Sequence, residues 1–201
     1  PNTATSSVDG VWYPDNRLQI VAASNLTVAA GGKIDVDGKG YRSRRVAGAN
    51  GYGPGGINTY YDGNTAGGGS GHGGRGGFSW PQYEAGPSGP AYGSAGAPVD
   101  PGSGGAYSSG KFGGGAVCIV AGGAVTVNGT ITANGVFGIS EHGDSGASGG
   151  SIFITCATFD GAGLVSASGG ASSQRGTTGG GAGGRVAVVY TDEAAQSADV
   201  G

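Results

Sequence analysis

Gly129-Thr-Ile-Thr-Ala-Asn-Gly135 has two relatives in the same chain, Gly32-Lys-Ile-Asp-Val-Asp-Gly38 and Gly163-Leu-Val-Ser-Ala-Ser-Gly169. Each alternates apolar and polar residues between glycines, which is the period of a β-strand with one buried face. An apolar strand precedes each phrase at nearly constant distance. Ile20 stands to Ile34 as Val117 stands to Ile131 and, within one position, as Ile152 stands to Val165. Between them, Val28, Val125 and Phe159 share one position, the same interval ahead of the phrase's central Ile or Val. A fourth copy opens at Val186-Ala-Val-Val-Tyr190 and goes no further. The unit is strand, turn, strand, turn, strand, then a glycine-rich excursion. The step from Ile131 to Val165 recurs from Val117 to Ile152 and from Ile152 to Val186, again within one position.

A unit this short cannot bury its own apolar face and must stack on a neighbour. Stacking places Ile34, Ile131 and Val165 in one inward column and Val36, Ala133 and Ala167 in the next. Asp35, Thr132 and Ser166 then face outward, as do Asp37, Asn134 and Ser168. Gly129 and Gly163 are expected at corners, where glycine reaches dihedral angles other residues avoid. The predicted fold is all-β, a glycine-rich parallel β-helix or solenoid-like stack with a long irregular Gly/Pro/Tyr-rich insertion. In Val117-Cys-Ile-Val120, Ile152-Phe-Ile-Thr155 and Val186-Ala-Val-Val189 nearly every residue is apolar. Such runs predict burial on both faces, with the outer face covered by the glycine-rich segment or by another molecule.

The organisation follows from the repeat. Residues 1–17 form an N-terminal arm, 18–40 the first β unit, 41–115 the insertion, 116–190 the repeated β units and 191–201 a polar tail. The insertion holds 25 of the 50 glycines and six of the eight prolines, and it carries no simple apolar period. Its aromatic residues could pack glycine backbone closely, and extended polyproline II segments side by side are one way to order it.

Charged residues make up 11% of the chain and the net charge is −3, so there is no basic footprint for nucleic acid. No apolar run approaches the ~18–20 residues that span a bilayer, so no membrane insertion is expected. The chain begins at Pro1 rather than Met, which reads as a processed chain or a fragment. Low charge, abundant Gly, Ser, Thr, Asn and Tyr, and no methionine point to an extracellular or cell-surface protein. The two cysteines do not align. Cys118 falls in the column of Phe153, while Cys156 lies three residues further along its own strand and on the opposite face. Two separate thiols are favoured over a bridge.

No reactive constellation accompanies the repeat. Asp35 and Asp37 have Thr, Ser and Asn as stacked equivalents, so no carboxylate column forms. His72 and His142 stand in glycine-rich loops without companion ligands at metal spacing. Glu141, His142 and Asp144 make one small polar cluster. No catalytic residue, cofactor site or metal site is assigned, and the chain is expected not to be an enzyme. Asn25-Leu-Thr27 and Asn128-Gly-Thr130 match the N-glycosylation acceptor triplet.

Val125-Thr-Val-Asn-Gly-Thr-Ile-Thr-Ala-Asn-Gly135, Ser148-Gly-Gly-Ser-Ile-Phe-Ile154 and Gly179-Gly-Gly-Ala-Gly-Gly-Arg-Val-Ala-Val188 carry a resemblance. Residues 113–190 resemble the glycine-rich β-helical repeats of very large extracellular adhesin and filament proteins of algae, protists and bacteria. The resemblance extends, more weakly, to residues 18–40. It implies a role class and no catalytic residue.

Two functions are therefore carried forward. The first is a structural subunit of an extracellular filament or surface layer, a homopolymer joined head to tail. Its assembly residues are Val8, Val11, Trp12 and Tyr13 of the arm and Val186, Val188 and Tyr190 of the uncompleted copy, which has no obvious following cap. The second is a carbohydrate-binding adhesin module in which Tyr60, Tyr61, Trp80 and Tyr83 stack on a surface polysaccharide.

Overall fold

The computed structural model describes residues 12–14, 16–43, 51–57, 65–79, 84–85, 87–106, 110–138, 145–172 and 178–196. Among these there is no helix. Twelve strands follow one another: β1 (Leu18–Ala22), β2 (Leu26–Val28), β3 (Lys33–Asp35), β4 (Thr65–Ala66), β5 (Glu84–Ala85), β6 (Ala116–Ala121), β7 (Val125–Val127), β8 (Thr130–Thr132), β9 (Ser151–Cys156), β10 (Phe159–Asp160), β11 (Leu164–Ser166) and β12 (Arg185–Tyr190). Every pairing between them is parallel. Sheet one runs β1-β6-β9-β12, sheet two β2-β7-β10 and sheet three β3-β8-β11, with β4 and β5 as a separate pair. Three consecutive strands, one per sheet, make one coil of a β-solenoid. The repeated phrase forms sheet three.

The inward columns are those of the repeat. Ile131 pairs with Ile34 on one side and Val165 on the other, and is fully buried. Val117, Ile119, Val125, Val127, Ile152 and Ile154 fill the same core from the other two sheets, all at 2% exposure or less. Cys156 joins them, while Cys118 pairs with Phe153 and points outward, and both thiols are free. Burial pushes the Cys156 thiol pKa up, so it stays a neutral core group.

Three expectations are corrected. The first coil is offset by two residues: Leu18, not Ile20, pairs with Val117, and Leu26, not Val28, pairs with Val125. Its β2–β3 turn spans residues 29–32, against 128–129 in the second coil, so counting back from the phrase slips by two. A slip of two keeps every side chain on its face, so the inward set is unchanged. Secondly, the described glycine-rich segments do not cover the outer face of sheet one. Its outward residues Val21, Val120 and Val189 are exposed, and Cys118, Phe153 and Ala187 are half-buried. Thirdly, Gly129 and Gly163 are closed to a Cβ as expected, but not through positive φ. They are required by close approach, because a Cβ on either would meet a backbone carbonyl of the preceding coil, Gly32 or Gly129 respectively. Between β10 and β11 the left-handed turn residue is Gly161, with φ of 122°.

Beyond sheet three the chain runs out and back before each new coil, and these glycine-rich legs build a second layer. In residues 145–150, Gly146 and Gly149 both donate to the 179–182 leg, Ala147 and Gly150 both donate to residues 133–136, and Ser148 donates to Ser103. The partner recurs every third residue, which is the period of polyproline II and not of a strand. On the acceptor side, Ser70, Gly170 and Gly114 donate to Gly146, Ala147 and Ser148 in turn. One leg is thereby tied to six neighbouring segments, where a strand in a sheet has two. Such packing leaves no room for side chains: a Cβ on Gly150 would land on the Gly115 carbonyl, and one on Gly146 on that of Gly170. The described parts of the insertion join this layer, with Gly69, Gly77 and Gly89 exchanging backbone bonds and Gly77 bonding onward to Gly180.

Candidate functional site

Among the described residues, most of the buried polar side chains lie within this glycine layer. His72, expected to stand alone, is fully buried and stacked on Tyr92, with ring centroids 4.5 Å apart. Its Nδ1 lies 2.7 Å from the Gly149 carbonyl, which can only accept, so Nδ1 carries the proton. Nε2 is then a buried lone pair without a partner among the described residues. It faces the space left by the missing side chain of Gly93. Measured from where that Cβ would stand, Asp100 Oδ2 is at 3.0 Å, His72 Nε2 at 3.5 Å and Arg185 Nε at 3.8 Å. Arg185 Nε donates to the Tyr92 carbonyl, and Asp100 pairs with Arg17 at 3.6 Å. The Tyr92 hydroxyl donates to the Pro101 carbonyl and accepts from Ser103 Oγ, while the Ser148 hydroxyl accepts from Ser103 N–H.

This arrangement cross-links backbone. Ser70, Ser103 and Ser148 are fully buried and bonded to main chain. Burial lifts the Tyr92 phenol far above its usual range, so it stays protonated. Burial, with Arg185 nearby, lowers the His72 pKa below its ordinary 6.5, although the Gly149 hydrogen bond and Asp100 act the other way. No group of three or more His, Cys, Asp or Glu side chains is placed to hold a metal ion among the described residues.

A pH dependence follows. The unfolded chain takes up a proton at His72 near pH 6.5 and the folded chain resists it, so this contribution to stability is full above that value and declines as pH falls below it. The slope from this residue reaches at most about 1.4 kcal/mol per pH unit. His72→Asn, which can still donate to Gly149, should flatten the decline between pH 7 and 5.5 in denaturant titrations. An unchanged slope would show that His72 is not the group responsible.

The other candidates are the ends of the stack. Val186, Val188 and Tyr190 are the inward residues of β12, and Val186 and Tyr190 stand 45% and 40% exposed because no coil of the described chain covers them. The matching end is β1, whose inward residues are Leu18, Ile20 and Ala22; Leu18 is 39% exposed. Sequence reasoning missed this end because the two-residue offset hid Leu18 from the column. Trp12 is seated within its own chain, edge-on to Tyr41 at 5.8 Å and Tyr52 at 6.0 Å, while Tyr13 is exposed. Val8 and Val11 lie outside the described residues, as do Tyr60, Tyr61, Trp80, Tyr83, Glu141, His142 and Asp144.

Residues 192–196 close the edge of sheet two at β10, while β12 of the uncompleted copy has no strand beyond it among the described residues. The Gln196 carboxamide donates from Nε2 to the Phe159 carbonyl at 2.8 Å and accepts the Phe159 N–H at Oε1 at 2.7 Å, standing in for the peptide group of a further strand on β10. Gln196→Ala should cost about 1 kcal/mol; no change in the melting midpoint would mean that water serves this edge equally well. The asparagines of the two glycosylation triplets have related duties. Asn25 Oδ1 accepts from Ala124 N–H, and Asn128 Oδ1 accepts from Ala162 N–H, each tying a turn to the next coil. The outward polar positions of sheet three also stack. Asp37 accepts from the Asn134 N–H and side-chain amide, and Asn134 accepts from Ser166 Oγ and Ser168 N–H.

A shallow recess of about 320 Å³ lies beside the β1 end, lined by Arg17, Leu18, Val36, Lys39 and Ala116 among others. No helix is long and apolar enough to cross a membrane among the described residues. The chain matches no family model, no curated protein and no solved structure.

Proposed function

We propose that the chain is a structural protein, a β-solenoid subunit of an extracellular filament or surface layer, built from copies of itself. The observation that carries this reading is the uneven treatment of the stack's edges. Trp12 is seated on the glycine layer and Gln196 on sheet two. Sheet one, the longest-stranded of the three, has β1 and β12 as its two edges, and no strand among the described residues pairs with the outer side of either. Open parallel edges recruit further strands unless blocked, and a head-to-tail contact between opposite ends propagates instead of closing. The buried Ser70, Ser103, Ser145, Ser148 and Ser151 support the same reading, since their hydroxyls are spent on main-chain bonds. The low charge and lack of methionine support an extracellular setting. Electron microscopy of the purified chain over a concentration series should reveal unbranched fibres or ordered sheets; a monomer at every concentration would overturn the proposal.

A further inference from the structure

Resting on that reading, we infer that β1 of one copy pairs in parallel with β12 of the next, Leu18 over Val186, extending sheet one without a break. Three observations lead there. The internal register already aligns Leu18 with Val117, Val117 with Ile152 and Ile152 with Val186, so the two edge strands belong to one column set. Adding a copy in the same register sets Ile20 over Val188 and Ala22 over Tyr190, covering the inward residues that the ends leave exposed. All five residues of β1 find partners in the six of β12. The level that sheet two lacks beside β12 is the one taken by residues 192–196, where Gln196 bonds Phe159, so these residues do not obstruct sheet one.

The junction has consequences on the outward face. Val21 of the added copy falls beside Val189, extending the outward row of Val120, the half-buried Thr155 and Val189. Arg17 falls beside Arg185, and Asp100, paired with Arg17, accompanies it as a counter-charge. Each copy contributes four strands to sheet one, so the axial rise per subunit is about 19 Å at roughly 4.8 Å per strand.

Val21 and Val189 are exposed, so cysteines there leave the core untouched. Adjacent parallel strands bring such positions within disulfide reach. In a Cys118→Ser background, Val21→Cys with Val189→Cys should give an oxidised ladder of dimers, trimers and higher species on non-reducing gels. Either substitution alone should not, and neither should Val21→Cys with Ala187→Cys, which tests a two-residue slip. Fibres with no ladder, a ladder from the slipped pair, or an axial rise that departs from four strand spacings would overturn this junction while leaving the filament reading intact. Monomers under all conditions would overturn both.

Discussion

Ile131→Asp is expected to abolish cooperative unfolding, or to lower stability by about 3–5 kcal/mol if a native state persists. Ile131 is fully buried mid-column, with Ile34 and Val165 above and below it and no polar partner for a carboxylate. The carboxylate must therefore enter the core unpaired or open the stack to water. Ile131→Val should cost only about 0.5–1.5 kcal/mol, as a lost methylene does. Val120→Asp, on the outward face of sheet one, should fall within about 0.5 kcal/mol of the parent. Thermal melts of the three variants test the inward–outward alternation together. Similar melting of Ile131→Asp and Val120→Asp would show that the columns are assigned to the wrong faces.

Gly150→Ala should be nearly as damaging, at about 3 kcal/mol, the upper part of the range for overpacking. The added methyl would meet the backbone of Gly114 and Gly115, which has no rotamer to yield, so whole legs must move apart and their hydrogen bonds lengthen. Gly74→Ala supplies the contrast. Its Cβ would meet nothing within 4 Å and its φ is not positive. The change should be neutral or stabilise by about 0.4–1 kcal/mol through the unfolded chain. Equal stability of the two variants would mean that the glycine layer is looser than its contacts imply.

The parts of the molecule that could be foreseen are those with period two. Ile34, Ile131 and Val165 repeat between glycines, and a period-two pattern on a stacking unit specifies both face and neighbour. The outward asparagine and serine positions were legible for the same reason, although their hydrogen-bonded ladder was not. Register in the first coil was not legible, because the longer β2–β3 turn shifts the count without changing the face. The apolar outer positions of sheet one misled in another way: Val21, Val120 and Val189 look like core residues by type, and type does not report exposure. His72 and Tyr92 could not be paired at all. They are brought together by glycine legs whose partners are chosen by backbone geometry, which leaves no side-chain pattern to read. Gln196 was hidden for a similar reason, since one carboxamide imitating a peptide group has no signature among polar tail residues.

The three-residue period of the glycine legs changes what low complexity means in this chain. A run such as Gly67-Gly-Gly-Ser-Gly-His-Gly-Gly looks permissive, as if any small residue would serve. Yet Gly68, Gly69, Gly71 and Gly73 each lie where a single extra carbon would strike main chain of another leg. In an ordinary core a substitution exchanges one side chain for another, and neighbours can compensate by changing theirs. Here the neighbours have nothing to change. The most monotonous stretches of the chain should therefore drift most slowly over time, and variation should collect in the outward positions of the strands, where the letters are most diverse.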